Sequence, residues 1–286
     1  MRLNRFRFIS SFWLIGSLAF AAPAVAQQRP LVTEDPETIG AGRVLLEGGV
    51  DYNRDVLFPA SGLTGNLLRA PLVGVSIGLS SIAELQIDGG LFNRLSITER
   101  RSAPLSDMLD VEGDSASDVE DVVIATKVRI LGEGARRPSF GIRFATKLPN
   151  ASNESGLGLD TTDFHVTGLV AKTVQSIRVV GNIGLGILGD PTRGDRQNDV
   201  LAYGLSFARA LTNATEIVGE VNGRADVASG VPPVGTESRS ALRFGGRYTQ
   251  GLTRVDAGIV VGLTSRDPGI GFMVGATYVF DAFRLP

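Results

Sequence analysis

The sequence predicts an all-β protein, an antiparallel up-and-down transmembrane β-barrel of about twelve strands. Three observations carry that expectation. Apolar residues recur with period two in one segment after another, the connections between segments alternate long and short, and glycine is abundant. With 36 glycines in 286 residues, and each costing a helix interior about 1 kcal/mol, an all-helical chain is disfavoured. At 43% hydrophobic and 20% charged, the chain is neither a disordered polymer nor a helical membrane bundle.

Residues 1–26 have the form of a secretory signal peptide. Arg2, Arg5 and Arg7 precede an apolar run from about Phe8 to Ala22, and Ala24-Val25-Ala26 has the small-x-small pattern of a cleavage site. Removing 26 residues leaves 260, and the loss of three arginines and no acid takes the formal charge from −2 to −5. A nucleic-acid partner does not fit that balance. The absence of cysteine excludes disulfides, thiolate metal sites and a cysteine nucleophile, and the single histidine argues against a histidine-rich metal centre. No metal or cofactor is implied. Residues 27–42 are polar, hold Pro30 and Pro36, and precede the first strand; 43–286 form the barrel.

The strands are expected at 43–52, 67–80, 83–92, 121–131, 139–148, 162–172, 177–188, 199–209, 214–225, 239–249, 253–264 and 270–280. Polar parity stays fixed within each segment. Arg43, Glu47 and Asp51 oppose Val44, Leu46, Val50 and Tyr52; Glu84, Gln86 and Asp88 oppose Leu85, Ile87 and Leu91; Arg254 and Asp256 oppose Val255, Ala257 and Ile259. A soluble sandwich would show the same alternation, so the connections decide. They run long at 53–65, 93–120, 149–161, 189–198 and 226–238, and short at 81–82, 132–138, 173–176, 210–213 and 250–252. Long loops on one rim and tight turns on the other are the outer-membrane pattern. Tyr52, Phe140, Phe164, Phe207, Tyr248 and Phe280 share the apolar parity near segment ends, where interface girdles lie. Because every backbone amide must be paired in lipid, the sheet has to close on itself.

Several motifs resemble those of the transporter family linked to the meta-pathway of phenol degradation. The start Arg29-Pro30-Leu31-Val32-Thr33-Glu34-Asp35-Pro36-Glu37-Thr38, running into Gly48-Gly49-Val50-Asp51-Tyr52, is similar to that family's opening. So are Lys147-Leu148-Pro149 with Gly156-Leu157-Gly158 and Thr162-Asp163-Phe164, and the ending Gly275-Ala276-Thr277-Tyr278-Val279-Phe280. The sequence departs from the family in having Asn150-Ala151 where Thr-Gly is common, and in continuing six residues past Phe280. The resemblance spans nearly the whole mature chain. It implies an outer-membrane barrel that passes small molecules, aromatic or otherwise apolar compounds among them.

In a closed barrel the polar parity lines the lumen. The transport candidates are Glu47, Asp51, Glu84, Asp88, Lys127, Arg129, Arg143, Lys147, His165, Glu216, Glu220, Arg224, Arg243, Arg247, Arg254 and Asp256, with Asp163 and Arg178 beside them. Acids concentrate on the first, third and ninth segments and bases on the fourth, fifth and tenth. Such walls set up a transverse field, or else the charges pair across strands and fill the interior. Small residues on the same parity, Gly74, Ser76 and Gly78 on one segment and Ala202, Gly204 and Ser206 on another, leave room there or seat an inward-folded segment. Glu34, Asp35 and Glu37 suit the lumen arginines, so residues 27–41 are a candidate plug or gate, against the alternative of a frayed periplasmic tail.

Other motifs are discounted. Gly184-Leu185-Gly186-Ile187-Leu188-Gly189 matches a dinucleotide fingerprint as a string, but it lies in an alternating segment and leads into Asp190-Pro191 with no helix to hold a phosphate. Arg193-Gly194-Asp195 falls in a long loop, where an adhesive role is conceivable. The acidic run Asp107, Asp110, Glu112, Asp114, Asp118, Glu120 and Asp121 reads as a solvated extracellular loop, without calcium-loop spacing. His165 shares a strand face with Asp163 and Thr167, which gives an outer-membrane lipid hydrolase as one rival to a channel, and a non-conducting structural or adhesive barrel is the other. The expected function is passive uptake of small molecules, without catalysis, in an outer membrane whose lipids and lipopolysaccharide are the surroundings. The oligomeric state is left open.

Overall fold

The computed structural model describes residues 29–284, so the signal peptide assigned to residues 1–26 lies outside the described residues. Fourteen strands follow in order: β1 (Arg43–Phe58), β2 (Leu63–Gly78), β3 (Ala83–Gly90), β4 (Asn93–Arg100), β5 (Ser115–Asp118), β6 (Val123–Leu131), β7 (Ser139–Lys147), β8 (Asp163–Val174), β9 (Ile177–Gly189), β10 (Gln197–Ala210), β11 (Thr215–Asp226), β12 (Arg239–Gln250), β13 (Thr253–Gly262) and β14 (Ile270–Asp281). β1 pairs antiparallel with β2 on one side and β14 on the other, which closes the sheet. β3 and β4 lie end to end along β2, while β6 pairs with β3 and β5 with β4. Fourteen runs therefore make twelve staves, the number that the alternation predicts.

The two faces differ as a membrane requires. Leu46, Val50, Ile183, Leu185, Leu205, Ile259 and Val274 are large apolar side chains exposed on the outside, whereas Asp51, Glu84, Lys127, Glu220, Arg247 and Asp256 are buried within. A contiguous outer apolar wall of this extent far exceeds what a soluble monomer exposes. Tyr52, Phe164 and Phe272 sit toward the long-loop rim, and Phe140, Phe207, Tyr248 and Tyr278 toward the short-turn rim, all facing outward. Phe280 is half-buried there against Tyr278, with ring centroids 5.7 Å apart.

Three adjacent staves depart from regular alternation at one level. On β2 the register slips where Gly49 faces Leu72 but Asp51 faces Arg69. Residues 91–92 separate β3 from β4, and 119–122 separate β5 from β6. Each interruption reverses which parity points inward: Gly74 and Arg69 both face the lumen, as do Glu84 and Asn93. Beyond this line the staves continue past the barrel wall, so the loop expected at 53–65 is largely strand and the one expected at 93–120 contains β4 and β5. The β1–β2 connection shrinks to residues 59–62. Polar residues at 53–55 and the parity reversals broke the sequence pattern there, although the backbone ladder runs on. The extension has its own apolar core of Val56, Leu63, Leu67, Leu95 and Ala116, covered by Phe58, Ile97, Leu109, Val111 and Leu157.

Candidate functional site

The lumen is not empty at mid-height. From Gly42 at the short-turn rim, residues 41 back to 29 run around the inner wall as a hoop. Ile39 donates its amide to the Glu84 carboxylate on β3 at 2.8 Å. Glu37 then pairs with Arg129 on β6, and Asp35 takes Arg178 Nη2 on β9 at 2.7 Å. Glu34 exchanges two hydrogen bonds with Asn182, donating its amide at 2.6 Å and accepting from Nδ2 at 2.8 Å. The Val32 and Thr33 amides donate to Glu220 on β11 at 2.9 and 2.8 Å. Arg29 lies at the seam, 3.6 Å from Asp51 on β1 and 3.7 Å from Asp256 on β13, and its carbonyl accepts from Arg247 Nε at 2.7 Å. An irregular strand inside a barrel must satisfy its backbone from side chains, and these contacts do so.

Glycine makes the seat. A Cβ at Gly204 would stand 2.9 Å from Thr33 Oγ1, and one at Gly245 would stand 2.8 Å from Pro30. A side chain at Gly78 would strike the Gly40 carbonyl outright. Gly78 and Gly204 belong to the two runs of small residues singled out in the sequence, and the hoop packs on both.

The hoop's central lock is buried. Lys127 and Glu84 have no exposed side-chain surface, and Lys127 Nζ lies 2.6 Å from Glu34 and 2.9 Å from Glu84. Gln86 Nε2 donates to both carboxylates, at 3.0 and 2.9 Å, while its Oε1 accepts from Arg143 Nε at 2.7 Å. Arg143 also approaches Glu34 at 3.9 Å and Asp88 at 3.8 Å. The basic side of the lumen is thus matched by acids of the hoop, and Arg29 lies against the acidic side. The transverse field expected from opposed walls is mostly cancelled at this level.

The remaining candidates pair on the wall. Glu220 takes Arg243 at 3.1 Å, Glu216 takes Arg254 at 3.8 Å and Arg247 at 4.0 Å, and Glu47 accepts from Thr277 at 3.2 Å. Lys147 bridges Asp121 at 2.8 Å and Asp163 at 3.3 Å. Arg224 donates to the carbonyls of Glu237 and Gly235, at 2.9 and 2.7 Å. His165 faces inward on β8, but Asp163 accepts from the Gly189 amide and pairs with Lys147, and no hydrogen bond joins His165 to Asp163 or Thr167 among the described residues. The three groups therefore do not form an aligned trio.

Above the hoop the lumen opens into two cavities, about 620 Å³ against the hoop and about 510 Å³ toward the long loops. Both are lined by Asp51, Arg69, Glu120, Asp121, Lys147 and Arg243. Three of these escaped the sequence reading. Arg69 lies beyond the register slip, where counting by twos from Gly74 places it outside; it binds Asp51 at 2.7 Å and Glu120 at 2.9 Å. Glu120 and Asp121 were assigned to a solvated loop, and that reading is corrected. Both turn into the mouth, where Asp121 also accepts from the Asn150 and Ala151 amides at 3.0 and 2.9 Å. Asp118 similarly caps the Ser152 amide at 2.8 Å. The glycine string 184–189 lies within β9, and Arg193-Gly194-Asp195 occupies an exposed turn, where Arg193 and Asp195 lie 3.6 Å apart.

No family model matches the chain, and no curated protein matches it significantly. Its fold is similar to the crystal structure of an outer-membrane channel from Pseudomonas putida F1, with a TM-score of 0.61 at 12% identity over 86% of this chain and 98% of that one. Looser matches include the translocator domain of the autotransporter NalP from Neisseria meningitidis, with TM-score 0.48, 14% identity and coverage of 84% and 89%. LpxR from Salmonella typhimurium matches with TM-score 0.46, 11% identity and coverage of 82% and 100%. At such identities the likeness concerns the fold, a closed antiparallel β-barrel of the outer-membrane type.

Proposed function

We propose that this protein is an outer-membrane channel for small molecules, gated by residues 29–41. The observation that carries the reading is the coexistence of an apolar outer wall with a charged inner space bordered by the hoop. Lipid would cover the first, and water and solute would fill the second. The long loops face outside the cell and the short turns the periplasm, with lipopolysaccharide around the outer half. The finer reading, uptake of aromatic or other apolar compounds, is supported by the family resemblance of the sequence motifs and by the apolar upper wall at Val56, Phe58, Leu67 and Leu157.

Planar-bilayer recording of the refolded mature chain, beside a variant lacking 27–38, tests this function. Rare small steps in the full chain and larger, longer steps in the deletion are expected. Equal conductance would remove the gate, and silence in both would remove the channel. The rival hydrolase reading is supported only by the placement of His165 in the lumen. It would gain from an ester- or lipid-cleaving activity that His165→Ala abolishes while permeation persists.

A further inference from the structure

The inward bases of the barrel divide into two sets. Arg29, Arg69, Lys127, Arg129, Arg143, Lys147, Arg178, Arg243, Arg247 and Arg254 each have a carboxylate within 4.0 Å. Among the described residues, Arg224 and Arg239 do not. They are direct partners across the β11–β12 ladder, on the face shared by Glu220 and Arg243, so two arginines leave neighbouring backbone positions, and Arg239 lines the upper cavity. Like charges that share a site repel, and a barrel built for stability alone would place an acid between them.

Glu237, Asp163 and Asp267, the last lining the same cavity as Arg239, lie nearby, but none comes within 4.0 Å of either guanidinium among the described residues. Asp267 accepts from the Ser240 amide at 2.9 Å and from Thr264 Oγ1 at 2.6 Å. Glu237 pairs with Arg266 at 3.9 Å, and Asp163 with Lys147. Arg224 is held on one side by the carbonyls of Gly235 and Glu237. Arg239 makes a single long contact, 3.5 Å to the Leu57 carbonyl, and its Nε is buried without a partner. Arg239 lines the upper cavity, whose lining also includes the apolar group Val56, Phe58, Leu67 and Leu157.

Resting on the channel reading, we propose that Arg224 and Arg239 form a carboxylate-binding station, which makes the preferred solutes small organic acids with an apolar body. A carboxylate presents two oxygens that accept charge-assisted hydrogen bonds from guanidinium forks, and it supplies the missing negative charge. The body of the solute then lies on the Val56–Phe58 side. A neutral phenol or hydrocarbon satisfies the apolar side alone and brings no carboxylate to the two arginines. From the station the solute meets the shared residues Arg69, Lys147 and Arg243 on the way to the hoop.

The test uses the refolded mature protein in zwitterionic micelles with fluorine NMR line broadening, which needs no conduction. The probes are 4-fluorobenzoate and its neutral counterpart 4-fluorobenzyl alcohol, each referenced to protein-free micelles. The expected result is at least about tenfold tighter binding of the acid by the wild type. Arg224→Gln/Arg239→Gln should abolish that preference and leave alcohol binding unchanged. Arg224→Lys/Arg239→Lys should retain part of it, and Arg239→Gln alone should lie between. Heat-modified gel migration checks that each barrel is closed. Absence of preference in the wild type, its persistence in the Gln variant, or its abolition by equimolar chloride would overturn the carboxylate assignment. Acid binding by a barrel that never conducts would overturn the channel and keep the station; conduction without acid preference would do the reverse.

Discussion

Replacing Lys127 by methionine should unlatch the hoop. The substitution keeps the length of the stem and removes the charge that holds Glu34 of the hoop and Glu84 of the wall, at 2.6 and 2.9 Å in a site closed to water. Two carboxylates then face one another with only Gln86 between them. Breaking a buried ion pair by deleting one partner costs about 3–5 kcal/mol. The barrel cannot move Glu84, but the chain can move Glu34, so most of that cost is relieved by undocking residues 29–41. At about 1.4 kcal/mol per factor of ten, the docked population falls by roughly two to three orders of magnitude. Since the chain has no cysteine, a single Leu31→Cys, at a position 6% exposed, reports undocking through its maleimide labelling rate. Labelling should accelerate by about a hundredfold or more in the Lys127→Met background, with a parallel rise in conductance. Lys127→Met/Glu34→Gln, which removes the hoop's stranded charge and ends the repulsion with Glu84, should recover part of the slow labelling. If Lys127→Met labels as slowly as the parent while the barrel remains closed, the hoop is held by something other than this lock.

Filling the hoop's seat should act independently of charge: Gly204→Leu puts a side chain where Thr33 lies and should favour the open channel by about 1–3 kcal/mol, read as increased open probability without loss of the folded gel band. On the outer wall, Ile183, 63% exposed on β9, should tolerate leucine, but Ile183→Arg should lower barrel stability in lipid by about 2–4 kcal/mol in urea titration if it lies near the bilayer midplane. Glu133, in the β6–β7 turn, gives a pH signature. Burial disfavours its charge, but the Thr173 amide, Lys172 and Arg178 outweigh that and hold its carboxyl below the usual carboxylate range. Its contribution is therefore complete above the ordinary carboxylate value and disappears as pH falls through the lowered one. Wild type and Glu133→Gln should differ in stability at neutral pH and converge in acid; a gap that widens in acid would reverse the sign.

Most of the barrel was legible because a two-sided wall writes its orientation into every second residue. Glu47 and Asp51 against Val50 and Tyr52, or Arg254 and Asp256 against Val255 and Ile259, admit one placement once the outside is apolar. Legibility failed where the backbone ladder outlasted the alternation. Arg69 and Glu120 sit on opposite sides of parity reversals, and a reversal is invisible to a count that assumes unbroken strands. The seat of the hoop was half readable. Gly78 and Gly204 announced space without saying what fills it, whereas Gly245 and Gly258, which adjoin Pro30, look like ordinary strand glycines. The pairing of Arg224 with Arg239 depends on the register between two strands, which composition cannot supply.

The path of the hoop also constrains the order of assembly. Its first described residue, Arg29, rests where β1 meets β14, touching the faces of Gly49 and Gly275, so the start of the hoop lies against the seam between the first and last described strands. One order of assembly that this contact suits is for the chain to lay the hoop against an open, curling sheet and for β14 to zip shut over it. In that order the inner segment would act as a former on which the cylinder is wound, since its hydrogen bonds and ion pairs reach strands as distant as β3 and β13.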